Sequence, residues 1–279
     1  MGTFLVFVFR IADIANSIKG GILMRLWKKA LSVLLVSATA ISMCACGGAK
    51  KGSGSSDTFK IGGIGPTTGD NAIYGTAVKN GIQLAVDEIN AAGGINGKQI
   101  EYKFEDDQSD AEKSVNAYNT LKDWGMQALI GTTTSTPCTA VVEETHSDNM
   151  FQLTPSATAV DSIQYDNAFR MCFSDPNQGS ASADYIAENK LATKVAIIYN
   201  SSDTYSSGIY QTFATEAKAK GLDVVAAEAF TADNKTDFSV QIQKAKDAGA
   251  ELVFLPIYYQ EASLILAQAN KAGFTPKWF

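Results

Sequence analysis

The chain has 279 residues, 46% of them hydrophobic and 19% charged, with a formal net charge of −6. That composition excludes a disordered chain and fits a globular protein of about two domains. Five bases (Arg10, Lys19, Arg25, Lys28, Lys29) and one acid (Asp13) fall in the first 45 residues, leaving 18 bases against 28 acids in the remainder. So acidic a surface repels nucleic acid and anionic headgroups.

Met24-Arg25-Leu26-Trp27-Lys28-Lys29 followed by the apolar run 30–43 has the basic start and short apolar middle of an export signal. The run is too short to span a bilayer permanently. Met43-Cys44-Ala45-Cys46-Gly47-Gly48 resembles a lipoprotein box. Ala45 before Cys46 makes Cys46 the expected lipidated residue, although Met43 stands where leucine is usual. Residues 24–45 are therefore expected to be a lipoprotein signal peptide and 46–57, rich in Gly and Ser, a flexible tether. Residues 1–23 precede a complete signal and are expected to be a non-native extension, with translation starting at Met24; a precursor beginning at Met1 would refute this.

From Phe59 the chain alternates strands and helices. The first strand is 59–65, ending in the turn Pro66-Thr67-Thr68-Gly69-Asp70, and Val78, Ile82, Val86 and Ile89 then recur at helical spacing. A second strand, 99–105, alternates Ile100, Tyr102 and Phe104 with charged neighbours, and Ser109 with Glu112 has capping-box spacing before a second helix. Ala128, Leu129 and Ile130 open into Gly131-Thr132-Thr133-Thr134-Ser135-Thr136, after which Pro137 starts a helical pattern. Phe151-Gln152-Leu153-Thr154 breaks at Pro155 into Ser156-Ala157-Thr158-Ala159.

Two adjacent strands thus end in hydroxyls. In an open α/β sheet, ligands bind beyond the carboxyl ends of parallel strands, where helix-start amides hold an anion, so a carboxylate can dock without a basic residue. A strand at 167–173 follows, and Ser174-Asp175-Pro176-Asn177-Gln178-Gly179 reads as a turn-rich crossing and hinge. The expected division is lobe 1 at 58–175 and lobe 2 at 176–279. Lobe 2 has strands at 194–199, 222–230 and 251–256, and helices ending at 220, at 237–248 and at 260–272. The predicted class is α/β: two Rossmann-like lobes whose parallel sheets face each other across a hinge cleft. Tyr205 and Tyr258 lie in strand-end loops of the second lobe and oppose the hydroxyls of the first.

In this order and spacing, Ile61 to Gly69 with Tyr74-Gly75, Val86-Asp87-Glu88-Ile89-Asn90-Ala91-Ala92-Gly93-Gly94, Glu105-Asp106-Asp107, Thr154-Pro155-Ser156-Ala157-Thr158 and Asp237-Phe238-Ser239 form a set. The set resembles the leucine/isoleucine/valine-binding class of extracytoplasmic solute receptors that feed ABC importers, with the type 1 periplasmic binding protein fold. The resemblance runs from about Phe59 to the end. It implies an α-amino acid, most simply branched-chain, handed to ABC permease subunits by a lipid-anchored monomer. The ligand-binding set it implies is Tyr74, Thr133, Thr134, Ser135, Ser156, Ala157, Thr158, Tyr205 and Tyr258. The Thr133–Ser135 loop, aided by the Thr158 amide, would receive the carboxylate, while the Ser156 carbonyl and Thr158 hydroxyl would accept from the ammonium. Tyr74 would line the side-chain pocket, and Tyr205 and Tyr258 would close over it.

Two departures qualify the resemblance. Gln108 and Ser109 occupy a position where some relatives carry a bridging cysteine, so Cys138 and Cys172 are expected as free, semi-buried thiols. The second lobe is expected to be incomplete, because relatives continue past this point to a loop carrying an acid for the ligand ammonium. A chain so truncated is expected to bind weakly or not at all.

No cofactor or metal is implied. Gly62, Gly63 and Gly65 lack the dinucleotide fingerprint, and Asp106-Asp107 reads as a solvated strand end. A ligand-sensing ectodomain that signals to a partner is the alternative use of the same module. An amidase or esterase would need an activated nucleophile, and the single histidine, His146, lies in a polar run at a helix end, read as solvated.

Overall fold

The computed structural model describes residues 58–279. The expected extension, signal peptide, Cys46 and tether lie outside the described residues. The first sheet is built from β1 (Phe59–Gly65), β2 (Ile100–Asp106), β3 (Ala128–Ile130), β4 (Gln152–Thr154) and β5 (Ala168–Arg170). Between them run α1 (Ala72–Ala91), α2 (Ala111–Trp124), α3 (Ser135–Ser147) and a 3-10 turn at Val160–Ile163. The second sheet holds β6 (Lys194–Asn200), β7 (Asp223–Phe230), β8 (Leu252–Phe254) and β9 (Lys277–Trp278), with α4 (Asp175–Glu188), α5 (Thr204–Ala219), α6 (Ser239–Asp247) and α7 (Tyr259–Lys271).

Every strand pair is parallel, in the orders β2-β1-β3-β4-β5 and β7-β6-β8-β9. Both orders reverse beside their first strand. The crevices so formed, between β1 and β3 and between β6 and β8, are the places where doubly wound sheets accept ligands. Strand β6 shows why the sheets are helix-covered. Val195 and Ile197 pack with Ile186, Ile209 and Phe213 on one side, while Ala196 and Ile198 pack with Phe238, Ile242 and Ile265 on the other. An apolar run that alternates between two cores needs cover on both faces. Phe213 has no exposed surface, and truncating such a side chain costs about 3–5 kcal/mol.

Three sequence expectations change. The stretch 174–179 is not a turn-rich crossing but the start of α4: the Ser174 side chain caps it by accepting from the Asn177 amide, and Pro176 sits in its first turn. Proline in a first turn forfeits no helical hydrogen bond. The crossing from the first sheet shrinks to 171–174. Gly179 permits this helix to lie close on α5, since a Cβ there would come within 2.8 Å of the Ile209 carbonyl and the Phe213 amide.

The cap of α2 is Asp110, which accepts from the Lys113 amide at 2.9 Å, and not Ser109, which takes a positive φ of 58°. Asp106-Asp107 is not a solvated end either. Asp106 accepts from the Thr67 amide at 2.7 Å and from the Thr68 hydroxyl at 2.5 Å, tying down the β1–α1 loop. Asp107 is fully buried, accepting from the Ser109 amide and the Ser114 hydroxyl, and burial pushes its carboxyl up to about 6. Cys138 is buried, Cys172 half-buried, and both are free thiols. His146 is exposed and stacks on Tyr165 with ring centroids 3.8 Å apart.

Candidate functional site

The carboxyl ends of both sheets converge on a cavity of about 220 Å³. The first sheet supplies Tyr74 from α1, Thr133, Thr134 and Ser135 from the β3–α3 loop, and Ser156 and Thr158 from the loop after β4. Its loops are held from behind. Ser156 Oγ donates to the Thr133 carbonyl at 2.6 Å, and Thr154 Oγ1 donates to the Thr132 carbonyl at 2.7 Å. Ser135 Oγ accepts from the amides of Thr158 and Ala159 at 3.1 and 3.2 Å. Gly65 makes room for this loop, because a Cβ there would overlap the Thr133 hydroxyl.

Helix α3 begins at Ser135 without a side-chain cap, and the amides of a helix's first turn have no intrahelical acceptor. Thr133, Thr134 and Ser135 are each at most 5% exposed, so these donors and hydroxyls sit in a largely water-free wall. That is where an anion gains most from a helix N-terminus.

The opposite wall is aromatic, with the acids Asp175 and Asp203 close to its tyrosines. Tyr205 and Tyr258 stack with ring centroids 5.1 Å apart, and Tyr258 reaches across to Tyr74 at 5.7 Å. Asp203 caps α5 by accepting from the Ser206 amide, and also accepts from Thr136 Oγ1 at 3.0 Å, joining the two sheets. Thr136 Oγ1 in turn accepts from the Thr204 amide at 3.1 Å. Burial raises the carboxyl of Asp203, and it pushes that of Asp175 up to about 6, partly offset by the neighbouring Thr158 hydroxyl. Asp175 is 2% exposed. Further out, Lys235 Nζ meets Asp70 Oδ2 at 2.5 Å and lies 3.9 Å from Glu261.

Of the nine residues expected to hold a ligand, eight line this cavity: Tyr74, Thr133, Thr134, Ser135, Ser156, Thr158, Tyr205 and Tyr258. Ala157 does not. It has no exposed surface, its amide donates to Thr154 Oγ1, and its carbonyl accepts from the Cys172 thiol. The Thr158 amide, expected to face a carboxylate, is engaged by Ser135 Oγ instead. Three lining residues were missed: Phe173, Gln178 and Ile257. A serine followed by Asp-Pro was a signal for the helix start that carries Gln178. Nothing local marks Phe173, Gln178 or Ile257 as turned toward the cleft.

Known proteins share this architecture. The family model for periplasmic binding proteins matches residues 58–279. The Leu/Ile/Val-binding protein homolog 3 of Brucella melitensis is 34% identical over 215 residues, 76% of this chain and 58% of that protein. The leucine-, isoleucine-, valine-, threonine- and alanine-binding protein of Pseudomonas aeruginosa is 33% identical over 222 residues, 78% of this chain and 58% of its own. Among solved structures, the branched-chain amino acid transporter substrate binding protein LivJ of Streptococcus pneumoniae, in complex with isoleucine, superposes with a TM-score of 0.73. It is 33% identical, over 80% of this chain and 63% of that one. The chain thus spans less than two thirds of the length of these relatives. Their family consists of solute-binding proteins that act outside the cytoplasm, not of enzymes. On the match over the whole described region, the parallel sheets and their order, this chain belongs to the periplasmic binding proteins of type 1 fold and leucine/isoleucine/valine-binding class.

Proposed function

We propose that the protein is the substrate-binding component of an ABC importer, a monomer tethered to the cell membrane through lipid on Cys46, and that it binds a branched-chain α-amino acid for import. The lobe division at 58–175 and 176–279 belongs to this reading. The observation that carries it is the cavity between the sheet ends, with hydroxyls and uncapped helix amides on one wall and tyrosines on the other, Asp175 and Asp203 lying near those tyrosines without lining the cavity. Such a pair of walls suits a zwitterion, because each buried ligand charge meets an opposite partner and escapes a penalty of several kcal/mol.

In this reading the carboxylate sits against Thr133, Thr134, Ser135 and the first-turn amides of α3. The ammonium sits against the Ser156 carbonyl and the hydroxyl of Thr158, both on the lining of the cavity. Asp175 and Asp203 supply the negative field. Tyr74, Tyr205 and Tyr258 enclose the side chain, and their approach across the cleft is the closed state that ligand favours over the open one. Two relatives carry leucine, isoleucine and valine in their names and a third is in complex with isoleucine, which supports the substrate class. Isothermal titration with leucine, isoleucine and valine is expected to give at most weak binding in the 279-residue chain, which spans less than two thirds of its relatives' length, and saturable one-to-one binding in a protein of the relatives' full length. No saturable heat with any α-amino acid from the full-length protein would overturn the reading.

A further inference from the structure

The hydroxyls that follow β3 are bonded within the first lobe, with one exception. Thr132 Oγ1 donates to the Thr134 carbonyl, Thr133 Oγ1 to the Ile64 carbonyl and Thr134 Oγ1 to Ser109 Oγ, while Ser135 Oγ accepts from two amides. Thr136 is bonded across the cleft. Its Oγ1 donates to Asp203 Oδ1 at 3.0 Å, accepts from the Thr204 amide at 3.1 Å and lies 3.2 Å from the Thr204 hydroxyl. A hydroxyl has one proton and two lone pairs, so its bonding capacity is taken up by the second lobe.

Those partners are the cap and the first residue of α5, and the next residue is Tyr205, which lines the cleft and stacks on Tyr258. The backbone of Thr136 belongs to the first turn of α3. Pro137 has no amide there and the Cys138 amide is taken by the Thr134 carbonyl, so Ser135 and Thr136 carry that turn's remaining donors. One residue thus offers its amide to the helix start assigned to the carboxylate and its hydroxyl to the helix that carries Tyr205. We propose that Thr136 is a positioning residue that couples ligand to closure: its hydroxyl fixes the register in which α5 meets α3 and so sets Tyr205 over the bound side chain. This rests on the reading that the cleft holds an α-amino acid, and adds which contact keeps the lobes shut upon it. When the lobes part, water takes up each of these bonds, so the clasp adds little to the folding of either lobe. In the closed state its loss leaves an Asp203 oxygen and the Thr204 amide without a partner.

The test is calorimetric titration and stopped-flow kinetics with L-leucine on a protein of the relatives' full length, as the parent and as Thr136→Val, Thr136→Ser and Thr204→Pro. Thr136→Val keeps the β-branched shape and loses the hydroxyl, and its affinity is expected to fall about 30-fold, the loss of a hydrogen bond to a charged group. The fall should appear in the dissociation rate and leave the association rate within about threefold, because the clasp forms after the ligand has docked. Urea unfolding without ligand should not move. Thr136→Ser is expected to bind within about threefold of the parent, since it keeps the hydroxyl. Thr204→Pro breaks the contact from the other lobe: proline is accepted at the first helical position and removes the amide and hydroxyl that meet Thr136. It should weaken binding about fivefold in the parent and less than about twofold in the Thr136→Val background, because both changes act on one contact. Its result stands if the valine variant does not fold. Leucine affinity unchanged in both Thr136→Val and Thr204→Pro, or lost together with an equal loss of unfolding stability, would overturn the role of Thr136 and leave the amino-acid site standing. No saturable heat in the parent with any α-amino acid would remove both.

Discussion

The two loop clusters that face the cleft are secured differently. On the first sheet, hydroxyls are pinned within their own lobe: Ser156 to the Thr133 carbonyl, Thr154 to the Thr132 carbonyl, and Ser135 to two amides of the neighbouring loop. On the second, Tyr205 and Tyr258 stack on each other, and Tyr258 is placed against Tyr74 of the opposite lobe. One wall therefore exists before the lobes meet, and the other is completed by their meeting. In the proposed function the pinned wall holds the ligand's charged end and the aromatic wall encloses its side chain, so the energetic consequences of damage to each wall should separate.

The largest effect is expected on the pinned wall. Ser135→Ala leaves the buried Thr158 and Ala159 amides without their acceptor, and each such orphan costs about 1–3 kcal/mol. Urea unfolding is expected to show a loss of about 3 kcal/mol, with ligand affinity lost at the same time. A variant that keeps its stability and loses only binding would show that the hydroxyl serves the ligand and not the loop.

Next comes the seam between the walls. Burial lifts the Asp175 carboxyl from the ordinary aspartate value of 3.8 to about 6 in the folded protein. Between those two values the folded state holds a proton that the unfolded state has released, so the stability due to this group rises as pH falls from about 7 to about 4. The expected gain is about 2 kcal/mol, and Asp175→Asn should remove it from the difference between pH 4 and pH 7 unfolding curves. Amino-acid affinity should move the opposite way and weaken below about pH 6, because the protonated carboxyl no longer offsets an ammonium. Parallel pH trends in stability and affinity would detach Asp175 from the ligand.

On the aromatic wall, Tyr258→Ala should weaken binding by about tenfold, or about 1.4 kcal/mol, while changing the stability of the ligand-free protein much less. Equal losses in both would mean that the tyrosine is simply core. The smallest effect is expected at Lys235→Met, which removes the ion pair to Asp70 at the cleft's outer edge. Both partners are about one-third to one-half exposed, so the change should stay under about 1 kcal/mol and vanish in high salt.

Much of this was legible in the chain. Strand β1 falls where the apolar run places it, and the two hydroxyl loops follow strands that prove to be neighbours, β3 and β4. Period-two and period-3.6 patterns are local, and each can be read without knowing what covers it. The failures share one cause. Ser109 and Asp110 are both good caps by composition, and only the tertiary fold, which puts Ser109 at positive φ against Asp107, selects the second. The polar stretch after Ser174 has the residues of a turn and the geometry of a helix, because Gly179 lets that helix settle against α5.

The sequence by itself determined the class of fold, the alternation of elements and the hydroxyl-bearing strand ends, since all three depend on residues close together in the chain. The tertiary structure alone decided that Asp107 is buried, that Ala157 turns away, and that Phe173, Gln178 and Ile257 enter the cleft. Those outcomes depend on which distant segments end up side by side. Burial is a property of such an encounter, and no short window of residues contains both of its sides.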